Sequence, residues 1–221
     1  MLFSMKNNSS IIGIFWMIMT SFFFVGVFVT VKYIGTDVPA SQSAFLRYLF
    51  GTLILLPIIL KSIRNTNKSL MKKFMVRGIF HAIGVTLWFY SMTVITMAEV
   101  TAIGFLTPIF ICIGASFLFK EKIAGFRFIT ILISFIGALI ILRPGFKLLE
   151  TGHGCMLFAA FVFSFSYLIV KQVSEEKNST EIVGFLSLFT TLFLIPMAIY
   201  DWESINNTNL FLLFLTAIIA T

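Results

Sequence analysis

Five residues of one apolar stretch carry most of the chemistry legible in this chain. Arg77, His81, Gly84, Trp88 and Ser91 follow one another at intervals of four, three, four and three, so in a helix they share one face. A cation, an imidazole, a glycine and a tryptophan suit lipid poorly, because ionisable groups in hydrocarbon cost several kcal/mol unless they meet a partner or a wet cavity. This face is predicted to look into a helix bundle. His81 lies one turn inside Arg77, about 6 Å deeper along the helix. It can be a boundary histidine satisfied by a backbone carbonyl or a headgroup, or a cavity residue that bonds a solute or takes up a coupling proton. Trp88 can belong to an interfacial aromatic belt, or line a cavity and stack on a cationic or aromatic solute. Tyr90 is a weaker candidate on another face.

Further candidates lie on other stretches. Trp16, Ser164, Ser166 and Tyr167 are expected cavity residues, although small polar groups also serve helix packing in membranes. Arg47 lies about one turn inside its apolar run. It is read as an anchor that snorkels to water. Pro108 removes a backbone donor, and with Gly104 and Thr107 beside it marks a kink or a hinge. Glu121, between Lys120 and Lys122, is either a local pairing and capping residue or a gate contact.

The elements that must position these residues follow from composition. The 221 residues are 59% hydrophobic and 11% charged, against roughly 45–50% and 25% in soluble domains. Apolar runs of about 20 residues recur, each enough to cross some 30 Å of hydrocarbon. The expected spans are Ile11–Val31, Ala44–Leu60, Phe74–Val94, Val100–Phe119, Phe126–Leu142, Cys155–Val170 and Ile182–Tyr200, with an eighth begun near Leu210. The first run is too long for a secretory signal and is expected to be retained.

With alternating loops, twelve of the sixteen Lys and Arg residues fall on one side, from Lys6 through Lys61–Arg77 and Lys120–Arg127 to Lys177. Only Lys32, Arg47, Arg143 and Lys147 fall on the other. The positive-inside rule makes the N-terminus cytoplasmic in a multi-pass inner-membrane protein. It also accounts for the net charge of +7 without a nucleic acid partner; the bilayer is the partner. Cys112 and Cys155 read as small packing residues. No phosphate loop, nucleophile motif or metal-ligand cluster is visible, so neither an enzyme nor a cofactor or metal is expected.

The chain also repeats. Leu49-Phe50-Gly51-Thr52-Leu53-Ile54-Leu55-Leu56-Pro57 returns 139 residues later as Leu188-Phe189-Thr190-Thr191-Leu192-Phe193-Leu194-Ile195-Pro196, with six of nine positions identical. Val31-Lys32 matches Val170-Lys171 at the same offset, so a Lys-to-Pro spacing of 25 residues is kept. Five spans separate the copies, so the second must run opposite to the first. The expected fold class is all-α: a polytopic membrane helix bundle, an inverted five-helix repeat of a ten-helix fold truncated to about seven and a half spans. Residues 1–145 form the first unit and residues 151–221 an incomplete second one.

Phe45-Leu46-Arg47-Tyr48, Pro108, Lys120-Glu121-Lys122 and Gly137-Ala138 through Arg143-Pro144-Gly145, in this order, resemble the EamA-type drug/metabolite transporters. Arg77-Gly78 through Trp88-Phe89-Tyr90, followed by Thr101 to Pro108, resembles the S-adenosylmethionine carriers of intracellular bacteria within that family. The resemblance implies ten helices in two five-helix units, a central cavity, and a small-molecule substrate that is amino-acid-like or nucleotide-like. For Arg47 it implies an alternative to anchoring, that this residue steadies the unit or attracts an anionic group of a solute. A second copy of the chain, giving a dimer, is a further candidate partner. The function expected is secondary transport of a small organic metabolite by alternating access. The alternatives are a non-transporting structural or regulatory membrane protein, or an inactive fragment. On the first reading, His81→Ala lowers solute uptake in the full-length context and leaves membrane insertion intact; unchanged uptake would remove His81 from the site.

Overall fold

A computed structural model describes residues 2–120, 125–142 and 148–221. Among these residues the chain is helical and has no strand. Its helices are α1 (Leu2–Ile34), α2 (Ala40–Ile63), α3 (Lys68–Val94), α4 (Met97–Gly104), α5 (Thr107–Phe119), α6 (Gly125–Leu142), α7 (Thr151–Val173), α8 (Ser179–Tyr200) and α9 (Asn207–Ala220). Several starts are capped by side chains that accept from otherwise unpaired N–H groups: Asn67 from Leu70, Asn206 from Asn209, and reciprocal boxes at Thr96/Glu99 and Asn178/Glu181.

Five segments are long and apolar enough to cross a membrane: Ile11–Ile34, Ala40–Ile63, Met97–Phe119, Thr151–Val173 and Ser179–Tyr200. Their outward faces carry large exposed apolar side chains, Phe22, Leu60, Phe117 and Ile199 among them, as a hydrocarbon solvent requires. α3 is not one of the five, although its 27 residues make about 40 Å of helix. It carries the polar face of Arg77 and His81, and it is central: it packs on α1, α2, α4, α7 and α8. Arg77, counted above with the loop cations, is a buried residue, 5% exposed.

Two glycines set how closely α3 is approached. A Cβ on Gly78 would collide with the Phe189 side chain of α8, and a Cβ on Gly84 would stand 2.8 Å from the Phe163 ring of α7. Around these contacts Val85, Phe89 and Met92 of α3 join Val100 and Met156 in one buried cluster. Phe74 joins Leu55, Ile59, Val173 and Phe185 in a second, where the Phe74 and Phe185 rings stack at 4.6 Å.

The expected fourth span is two helices. Phe105 and Leu106 form a turn between α4 and α5, and Pro108 occupies the first turn of α5, where its missing N–H costs nothing. The proline therefore starts a helix instead of bending one. Glu121, with Lys122, Arg143 and Lys147, lies outside the described residues.

The close approach at Gly84 predicts that Gly84→Leu lowers the thermal midpoint of the solubilised protein by several degrees, as overpacking costs about 1–3 kcal/mol. Gly154→Ala, where a Cβ meets nothing within 4 Å, leaves the midpoint unchanged; equal effects of the two would contradict this packing.

Candidate functional site

A cavity of about 520 Å³ lies inside the bundle, within the roughly 300–1,000 Å³ of small-molecule sites. α3 supplies Arg77, His81 and Trp88, in line with the face its sequence spacing defines. α2 supplies Arg47 and Tyr48; α7 supplies Met156, Phe163 and Tyr167; α8 supplies Ser187. Gly104, Thr107 and Pro108 at the α4–α5 break and Phe24 of α1 also line it, with further apolar residues of α5, α8 and α9. Residues of both expected units thus meet around one space.

His81 is the best-connected of these groups. It is 8% exposed, its Nε2 lies 2.6 Å from the Tyr48 hydroxyl of α2, and its Nδ1 lies 3.4 Å from the Ser166 hydroxyl of α7. Hydroxyls both donate and accept, so this pair satisfies either tautomer of the ring. The Phe163 ring packs on the imidazole with centroids 5.0 Å apart. The partners are thus side chains of two other helices, neither a backbone carbonyl nor a headgroup.

The two arginines are held by carbonyls. Arg77 donates from Nη1 to the Ile182 carbonyl at 3.0 Å, and Arg47 donates from Nη2 to the Ala220 carbonyl at 3.2 Å. The Nε of each is buried without a hydrogen-bond partner. The Arg47 guanidinium also sits 4.0 Å from the centroid of the Tyr48 ring, a cation–π contact. Trp88 meets Phe28 and Phe24 edge-on, at 5.5 and 6.3 Å between centroids, so those rings hold its orientation.

Seven of the sequence-derived candidates, Arg47, Arg77, His81, Trp88, Gly104, Pro108 and Tyr167, line the cavity. Three do not. Trp16 is 62% exposed on the outer face of α1, against Phe15. Tyr90 reaches outward to the Thr151 hydroxyl at 3.0 Å. Ser164 is buried but donates back to the Phe161 carbonyl of its own helix at 2.6 Å. Glu121 lies outside the described residues.

Tyr48, Thr107 and Ser187 line the cavity without having been singled out as site residues. A signal for Tyr48 existed: Ala44, Tyr48, Gly51, Thr52, Leu55 and Ile59 follow helical three- and four-residue spacing and are all buried, and Tyr48 is the one of them with an aromatic hydroxyl. Among the described residues no cluster of His, Cys, Asp and Glu could hold a metal ion.

The comparison with known proteins agrees with this architecture. The description of the EamA-like transporter family matches residues 11–143. The chain is 27% identical over 185 residues to the S-adenosylmethionine uptake transporter of Rickettsia prowazekii (strain Madrid E), covering 83% of this chain and 63% of that protein. It is 26% identical over 215 residues to a riboflavin transporter of Vibrio cholerae, covering 95% and 72%. It is 22% identical over 191 residues to a pseudopaline exporter of Pseudomonas aeruginosa, covering 86% and 67%. The chain thus spans less than two thirds of the Rickettsia protein's length. One solved crystal structure shares the fold with a TM-score of 0.55 at 16% identity, over 90% of this chain and 74% of that one. With the family match extending over more than half of its residues, the chain belongs to the EamA-like transporter family.

Proposed function

We propose that this chain forms part of a secondary carrier of the inner membrane, with a cytoplasmic N-terminus, that moves a small organic metabolite through the cavity by alternating access. The observation that carries the reading is the His81 site. Tyr48 and His81 come from residues 1–145, Ser166 comes from residues 151–221, and the three hydroxyl and ring groups join across the cavity wall. A movement of one unit against the other must break or remake the bond between His81 and Ser166, as expected where paired units rock about a central site.

The inverted repeat is supported by where equivalent positions meet. Thr52 and Thr191 stand 139 positions apart, the repeat offset, and their hydroxyls lie 3.1 Å apart. Two equivalent residues touch each other where a two-fold axis passes between them. Toward the end of α2 the pairing continues antiparallel, with Ile59 against Gly184 and Ser62 hydrogen-bonded to Glu181. The neighbours follow the same relation: α3 packs on α7 and α8, and α9 packs on α1 and α2. Adding 139 to positions in α1, α2 and α3 leads to α7, α8 and α9, so each packing has its counterpart.

The solute is a small metabolite of amino-acid-like or nucleotide-like size. The named relatives, carriers of S-adenosylmethionine, riboflavin and pseudopaline, support this class. A proton gradient, a solute gradient or exchange supplies the energy.

The test is uptake of labelled S-adenosylmethionine, with labelled riboflavin beside it, into cells expressing the chain from its natural reading frame. Uptake above the empty-vector level is expected for at least one of them. Tyr48→Phe keeps the ring but removes the bond to His81, and lowers uptake about threefold to tenfold, the equivalent of a hydrogen bond worth about 0.5–1.5 kcal/mol. Inserted protein with no flux of either solute, or full flux in Tyr48→Phe, would contradict the proposal.

A further inference from the structure

We infer that the cavity selects solutes bearing a carboxylate or phosphate attached to a planar ring, with the anion drawn to Arg77 and Arg47 and the ring placed against Trp88 and Phe163. This rests on the carrier reading and names the chemistry of its substrate.

The charge of the cavity is the starting point. Arg77 and Arg47 both line it, and among the described residues lining it there is no aspartate or glutamate. Neither guanidinium makes an ion pair with a carboxylate among the described residues. Each is held by a single backbone carbonyl, with a buried Nε left without a partner. Arg77 is 95% buried, and arginine does not lose its proton in proteins. Two positive charges thus face one largely apolar space with only carbonyl dipoles and tyrosine rings to offset them. A buried charge lacking a counter-charge is strongly unfavourable, and an ionisable group inside a membrane bundle pairs or marks a solute pathway. The missing counter-charge is supplied when an anionic solute enters. Arginine suits this role because its planar fork matches carboxylate and phosphate oxygens.

The rest of the wall selects what the anion is attached to. Trp88, Phe24 and Phe163 present aromatic surface to the same space, and Trp88 is fixed edge-on by Phe24 and Phe28. A volume of about 520 Å³ holds a ring together with its charged substituent. The hydroxyls of Tyr48, Ser187 and Thr107 add donors and acceptors without adding negative charge. A solute whose only charge is positive finds no acid in this wall and meets repulsion from both guanidiniums.

The test uses pairs of probes that differ only in the anion, measured as thermal stabilisation of the purified full-length protein in low-salt detergent solution. The pairs are indole-3-acetate against indole-3-acetamide, and adenosine 5′-monophosphate against adenosine, with inorganic phosphate as the ringless anion. A bound ligand raises the midpoint with its concentration. The anionic member of at least one pair is expected to do so with about tenfold lower half-saturation than its neutral partner, and inorganic phosphate with a smaller shift. Arg77→Gln and Arg47→Gln each lose the difference, and Arg77→Lys, which keeps the charge, retains most of it. Should Arg77→Gln fail to fold, Arg47→Gln and Arg77→Lys still decide. Equal shifts from both members of each pair, no shift from any anion, or an anion shift that survives both glutamine substitutions would overturn the inference. The carrier reading is judged separately by uptake, so transport of a neutral solute with no anion preference would overturn this inference and leave that reading standing.

Discussion

A guanidinium held inside an apolar helix bundle is the constraint from which much of this structure follows. Arg77 is buried, so its guanidinium must be bonded from within the protein, and it reaches the Ile182 carbonyl at the start of α8. That contact ties α3 to α8 near one end of the bundle. The glycine at position 78 lets the two helices come close beside it, because any side chain there would collide with Phe189. The cation, the glycine and the stacked Phe74–Phe185 pair act on one helix crossing, and together they fix the turn of α3 that carries His81 one step further in.

The same reasoning explains why polar groups converge on one space. His81 can be buried because Tyr48 of α2 and Ser166 of α7 meet its two ring nitrogens, and Gly84 allows α7 to approach. Arg47 is accommodated by the Ala220 carbonyl and the face of the Tyr48 ring. His81, Arg77 and Arg47 each bond to another helix, although the Nε of both arginines stays without a partner, so the cavity wall depends on how those helices pack. At the α4–α5 break, Gly104, Thr107 and Pro108 bring irregular backbone to the wall, which membrane proteins tolerate where it lines a cavity.

Much of this was legible in the sequence because hydropathy and helical spacing are local properties. Each expected span coincides with a helix or, for the fourth, with the α4–α5 pair, and the three- and four-residue spacing of Arg77, His81 and Trp88 identified the wall that α3 provides. What was not legible depended on rotation and on partners from distant segments. Ser164 and Ser166 are two positions apart, and only the packing of α7 decides that Ser166 faces His81 while Ser164 bonds back to Phe161. Trp16 has the same side chain as Trp88, yet α1 presents it to the outside. Pro108 announced an interruption, but whether it bends a helix or begins one depended on the turn at Phe105 and Leu106. Tyr48 stood on a legible helical stripe of α2, but its partner lies 33 positions away on another helix.

The central claim is that this cavity is a solute site exposed alternately to the two sides of the membrane. Its most direct test is thiol labelling of Ser187→Cys, in a background with Cys112 and Cys155 changed to Ser, in sealed vesicles of both orientations. The account predicts that a membrane-impermeant maleimide reaches position 187 from both sides and that a transported solute slows the reaction. Labelling from one side only, at a rate no solute alters, would contradict it.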